Sequence, residues 1–306
     1  MKRFFICAAA AIVALASCSK TEVVNTSAPE EIGFKAVTGA ITKAPIEGTE
    51  LPKTSSMVVY ASKSDAIGGT YTPYFSEAEF SWKTSYWGGT TSRYWPESGY
   101  LKFIAYYPSG IGTDVNGDAT TNITIEGVDA TAQNDILYTD LTDAQASASK
   151  TPVIMAFHHA LAQVIVTAKV SDDNMTDVNV TGVVLSSAPF SGDLTLTGTT
   201  ATWDNQAHIP SITMENTIAS TDLTSTPKTL GTGLLVVPGD HEATLTVTYT
   251  IGGLETTTDP IEIDGTWEKG KKYIYHLSIG LDEIKLAPSV DDWDDAESMP
   301  YSPSVL

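Results

Sequence analysis

The sequence is poor in cysteine and in basic residues. Of 306 residues only two are Cys, Cys7 and Cys18, and 17 are Lys or Arg against 37 Asp and Glu, a formal net charge of −20. A field of that sign repels phosphate backbones and excludes nucleic acid as a partner class. Both Cys lie within the first 18 residues. The body of the chain therefore has no disulfide and must hold together by burial of apolar surface. Long apolar runs are scarce as well. The longest, Phe4–Ala16, has 13 residues, short of the ~20 that a membrane-spanning helix needs. Beyond it, no stretch of ten or more residues carries helical periodicity. Catalytic signatures are also missing. There is no Gly-x-Ser-x-Gly elbow, no His-Glu-x-x-His pair, no phosphate-binding glycine loop and no dinucleotide fingerprint. No enzymatic activity and no cofactor are expected.

What is present points to strands. Hydrophobic residues make up 42% of the chain and charged residues 18%, enough apolar material for a sizeable core. Thr supplies 42 residues, Tyr 13 and Trp 6, a β-rich composition. Lys2-Arg3 followed by Phe4–Ala16 has the form of a secretory signal peptide. The run ends at Leu15-Ala16-Ser17-Cys18, which resembles the lipobox of bacterial lipoproteins. That resemblance implies cleavage after Ser17 and acylation of Cys18. The polar residues that follow, up to residue 30, read as a spacer.

Further on, short runs alternate or stay apolar and are bounded by Gly, Pro, Asn and Asp. Ile32, Phe34 and Ala36 alternate with Gly33, Lys35 and Val37. Met57–Ala61 is a continuous apolar run of buried-strand type, and Tyr100–Tyr107 is a strand stopped by Pro108. Further strands are expected at 122–127, 153–157, 161–170, 178–185, 193–197, 200–203, 233–237, 243–251, 261–263, 272–279 and 284–286. The frequent turns and even spacing predict an all-β chain of two tandem β-sandwich domains. The polar stretch 140–150 marks the boundary. The expected division is a signal peptide over 1–17, a linker over 18–30, sandwiches over 31–148 and 152–296, and a tail over 297–306.

Several pieces together resemble the fimbrillin family, the FimA-like and Mfa-like pilins of Bacteroidetes. In order they are Ile32-Gly33-Phe34, Thr42-Lys43-Ala44, Val59-Tyr60-Ala61, and Tyr94-Trp95-Pro96 before Leu101–Pro108. Phe157-His158-His159-Ala160-Leu161-Ala162, Trp267–Gly270 with Tyr273 and Tyr275, and Asp292-Trp293 complete the set. The resemblance implies transthyretin-like sandwiches, residence as an outer membrane lipoprotein, display at the cell surface and adhesion. It also implies assembly with other pilin subunits by strand addition after a protease removes the first strand. No Arg lies between Cys18 and Met57; the Lys residues there are Lys20, Lys35, Lys43 and Lys53. A cut after Lys43 would release the first strand. The other reading of Lys43 is a solvated loop residue beside a strand that stays in place. Met299, Tyr301, Pro303 and Val305 alternate as a donor strand would, or belong to a frayed tail.

The remaining candidates are weighed against ordinary packing. His158 and His159 point to opposite faces of a strand and do not share a metal; His159 reads as a packing residue. Asp114–Asp118 lacks the spacing of a calcium loop and reads as an exposed polar turn. Asp291, Asp292, Asp294 and Asp295 read as a solvated acidic terminus. Among the aromatics, Trp82, Tyr86 and Trp87 are the possible ligand-facing rings, with Trp87 placed on a loop by Gly88-Gly89. Exposed coplanar rings there would stack on sugars, giving the alternative of a monomeric surface glycan-binding lipoprotein. Otherwise these rings are core.

Overall fold

The computed structural model describes residues 30–38, 51–148, 152–213, 221–281 and 284–293. Among these residues every regular element is a strand. The described part of the chain is all-β, as the composition predicts.

Two cores organise it. The first lies inside a closed sheet of seven strands. In order around the ring these are Met57–Ser64, Thr72–Trp82, Trp87–Gly89, Gly33–Thr38, Val153–His159, Leu137–Thr139 and Tyr100–Tyr107. The last pairs with the first over Val58–Ser64, which joins the two layers into one continuous sheet. The short Gln145–Ala146 strand adds to Tyr100 and Leu101.

The second core lies between two layers. One runs Lys228–Val236, Ala162–Val170, Lys271–Ile279, Ile284–Asp292. The other runs Ser211–Thr213, Val178–Ser186, Thr244–Ile251, Leu254–Thr257, with two short strands added. Val164, Val166, Ala168 and Val170 meet Val178, Val180, Val183 and Leu185 in it. A third sheet of Ala201–His208, Pro189–Leu196, Ile123–Asp129 and Asp114–Gly117 also feeds this core.

Alternation explains the runs that lack it. In Met57–Ala61, residues 57, 59 and 61 enter the ring, while Val58 and Tyr60 face the second core. Likewise Leu101, Phe103, Ala105 and Tyr107 point inward, and Ile104 and Tyr106 outward. A strand buried on both faces needs apolar residues at every position.

Two strands cross residues 140–150 to reach their partners. Val153–His159 belongs to the ring, and Ile123–Asp129 pairs with Pro189–Leu196. The two cores thus exchange a strand each across that stretch.

Candidate functional site

The chain's opening strand, Gly33–Thr38, is an interior member of the ring. On one side it runs parallel to Val153–His159, matching Phe34 with Val153 through to Thr38 with Phe157. On the other it runs antiparallel to Trp87–Gly89, matching Gly33 with Gly88 and Phe34 with Trp87. Both backbone edges are engaged, so removing the strand opens the ring along its length.

Its side chains obey period two. Ile32, Phe34 and Ala36 are buried and Lys35 is exposed. Phe34 is fully enclosed, with its ring edge-on to Phe80 (4.8 Å, 77°) and to Phe103 (5.0 Å, 81°). Such pairs add to the area term. Burial of a side chain of this size contributes about 1.5–3 kcal/mol. A vacated slot would uncover Phe80, Phe103 and Trp87 to water, and an apolar groove of that kind favours being refilled.

The entry to the slot is bound to a loop. Ile32 N–H donates to the Arg93 carbonyl (2.7 Å), and Trp95 N–H donates to the Glu30 carbonyl (3.0 Å). Glu31 bridges Tyr94, and Ser92 Oγ donates to the Glu31 carboxylate. Tyr74 holds the loop from its other side, its hydroxyl donating to the Tyr94 carbonyl (2.9 Å). Where the chain returns at residue 51 it is anchored again. Leu51 is buried, Tyr107 OH donates to the Pro52 carbonyl (2.8 Å), and Lys53 Nζ lies 4.1 Å from the Trp82 ring centroid.

Two glycines at the slot make room for a ring. Gly33 and Gly88 face each other beneath the Tyr86 ring. A Cβ on Gly33 would sit 2.7 Å from Tyr86 Cδ2, and one on Gly88 3.0 Å from Tyr86 Cε2. The glycines are needed for this close approach rather than for a turn.

For Trp87 the ligand-facing expectation requires correction. Trp87 is 2% exposed, paired with Phe34 and edge-on to Tyr107 (6.2 Å, 76°); it lies inside the ring, not on a loop. Tyr86 is half-buried over the two glycines. Trp82 is half-buried and meets Trp87 at 69°, so the rings are not coplanar. The adjacent Gly88-Gly89 suggested a loop because the pairing with residue 33 is invisible in local sequence. Asp114–Gly117 is likewise a strand rather than a turn, paired with Ile123–Glu126. Cys18, Lys43 and the 297–306 tail lie outside the described residues.

His159, His158 and His241 each have an ordinary structural partner. His159 Nδ1 lies 2.8 Å from Asp135 Oδ2, and its ring stacks on Trp293 (3.9 Å, 5°). His158 Nε2 is 4.0 Å from Asp140 Oδ2. His241 is buried, stacked on Trp267 (3.5 Å, 19°), with Nε2 2.7 Å from the Ile263 carbonyl. Burial holds its pKa below the usual histidine value, against the pull of Asp264 and Asp240. Among the described residues no three His, Asp or Glu converge as metal ligands. No helix among them is long and apolar enough to cross a membrane.

Comparison with known proteins adds a family. A family model described as fimbrillin-like matches residues 42–293. No curated protein matches the chain. Among solved structures, a fimbrial protein from Bacteroides vulgatus is 16% identical and superposes with a TM-score of 0.65, covering 85% of this chain and 99% of that one. A protein from Bacteroides ovatus, provisionally assigned to cell adhesion, is 14% identical with a TM-score of 0.55, covering 89% and 100%. Another so assigned, from Bacteroides uniformis, is 17% identical with a TM-score of 0.53, covering 86% and 99%. At these identities the likeness is one of fold.

Proposed function

Because the chain belongs to the fimbrillin-like family, we propose that it is the precursor of a fimbrial subunit that assembles by strand exchange and serves cell-surface adhesion. One observation carries the assembly mechanism. The opening strand fills an interior position of a closed sheet and contributes Ile32, Phe34 and Ala36 to its core. A segment so placed is replaceable by an extended segment of another subunit with the same alternation. Main-chain bonds would set the register and the Phe34 pocket the specificity.

Release of the strand takes place at Lys43. Lys35 lies within the strand and pairs with Ile154 in its parallel ladder. Lys53 follows the Leu51–Pro52 anchor and rests against Trp82. Lys43 is the Lys between them, and a cut after it would free the strand while leaving the anchor in place. Before assembly the precursor is held to the outer membrane by lipid on Cys18. Burial of Trp87 removes the central ring of the glycan-binding alternative.

Trimming the purified chain with a lysine-directed protease, with mass measurement of the products and of the assembly state, tests this reading. Loss of residues up to Lys43 is expected to yield oligomers, and Lys43→Gln to prevent both. A trimmed chain that stays monomeric at high concentration contradicts the mechanism. Fatty-acid incorporation that persists in Cys18→Ala contradicts the anchor.

A further inference from the structure

Arg93 is the sole Arg beyond residue 3. It lies in the loop that the slot's entry holds, between the Trp87–Gly89 and Tyr100–Tyr107 strands of the ring. The neighbours Thr91, Ser92 and Tyr94 are exposed, so a protease can approach the loop. The bond after Arg93 is nonetheless closed to attack. Its carbonyl accepts the Ile32 N–H, and the Trp95 N–H beyond it donates to Glu30. A protease binds its substrate as an extended strand and takes the scissile carbonyl into its own donors. Here those backbone groups are already taken by residues 30–32. The side chain is withdrawn too: the guanidinium lies 5.6 Å from the Phe75 ring centroid, on the half-buried side of the loop. Phe75 in turn packs near Phe80 and Phe103, the two rings that enclose Phe34.

We propose that the Arg93–Tyr94 peptide bond is a latent cleavage site for an arginine-directed protease, closed while the opening strand fills the slot and opened when the slot is empty. Departure of residues 30–38 removes the main-chain partners of the Arg93 carbonyl and the Trp95 N–H and the ring around which the Phe75 cluster packs, leaving the loop tied by Thr90 to Glu79 and by Tyr74 to the Tyr94 carbonyl. Hydrolysis then adds water across the Arg93–Tyr94 amide, leaving a carboxylate on Arg93 and an amine on Tyr94. One such cut severs the covalent connection between the Trp87–Gly89 and Tyr100–Tyr107 strands of the ring. Subunits whose slot is vacated and not refilled would be destroyed, whereas precursors and refilled subunits would survive. The guarding of Arg93 is independent of assembly; its use as a check on assembly rests on the strand-exchange reading.

The test is limited digestion of the purified chain with an arginine-specific endoprotease, the products being weighed. The chain that keeps its opening strand is expected to resist cleavage after Arg93. A chain lacking residues up to 43 is expected to be cut only after Arg93. A synthetic peptide of residues 30–38 is expected to restore resistance. The two main-chain bonds, each worth roughly a factor of five in local opening, give an acceleration of at least ~25-fold. Gly33→Val provides a second, milder opening, since its side chain would meet the Tyr86 ring. Hydrogen exchange of Ala162–Val170 verifies that the second core stays folded. Equal cleavage rates with and without the strand, or acceleration that the peptide does not reverse, would overturn the proposal. A strandless chain that is cut at Arg93 yet never oligomerises leaves the latent site standing and contradicts strand exchange. Oligomers from a chain that resists when vacated do the opposite.

Discussion

Replacing Phe34 by Ala tests the slot residue by residue. The ring is fully enclosed and edge-on to two other phenylalanines, so its loss leaves a cavity bounded by Phe80 and Phe103. Phe→Ala at such a site costs about 3–5 kcal/mol, combining lost transfer energy with the cavity. Lys35→Ala, one residue along, removes an exposed side chain from the same strand and should change stability by no more than about 0.5 kcal/mol. Urea unfolding of both variants, followed by near-ultraviolet circular dichroism of the buried tryptophans, gives the two values. A peptide of residues 30–38 carrying the Phe34→Ala change should also fail to fill the slot of a trimmed chain, while the Lys35→Ala peptide fills it. A Phe34→Ala loss below about 1 kcal/mol, or equal losses for the two variants, would refute the reasoning, because period-two burial is what makes the strand part of the core.

Further outcomes follow from the same geometry. Gly33→Val should cost about 1–3 kcal/mol through overpacking against Tyr86, and Tyr86→Ala should recover part of it in a double-mutant cycle. Trp87→Ala should destabilise the precursor by about 3–5 kcal/mol in denaturant titration, as loss of a buried ring rather than of a binding surface. Burial depresses the pKa of His241, so the unfolded chain takes up the proton first and acid favours unfolding. Stability should fall as pH drops through the ordinary histidine value of about 6.5, continuing to the lower folded pKa, and His241→Gln should reduce the slope of that part of a thermal-melt pH profile, His276, which burial also holds below its usual value, supplying the rest.

How far the sequence foretold this structure depends on where each strand's partners lie. Met57–Ala61 and Phe103–Tyr107 are legible because burial on both faces leaves an unbroken apolar run. Ile32, Phe34 and Ala36 announced a half-buried strand by alternation. Nothing local announced that its partners are residues 87–89 and 153–157. Thr72–Trp82, the longest strand of the ring, was hidden by Pro73, by a run of exposed residues, and by the register break near Glu77, whose φ is 48°. Asp114–Gly117 is exposed along most of its length at the end of its sheet and carries no apolar signal to read. Trp87 misled because two adjacent glycines normally mark a turn. Here Gly88 is required by a ring lying across it, a reason that exists only once the chain has folded.

The most direct test of the account is the composition of the assembled fibre. If a neighbour's segment replaces the opening strand, polymer purified after a cut at Lys43 and dissociated for mass measurement will contain chains that begin at Ala44. The released fragment carrying Phe34 will be absent. Polymer that retains this fragment in equal proportion to the trimmed chain, or that is built from uncut precursor, would contradict the account.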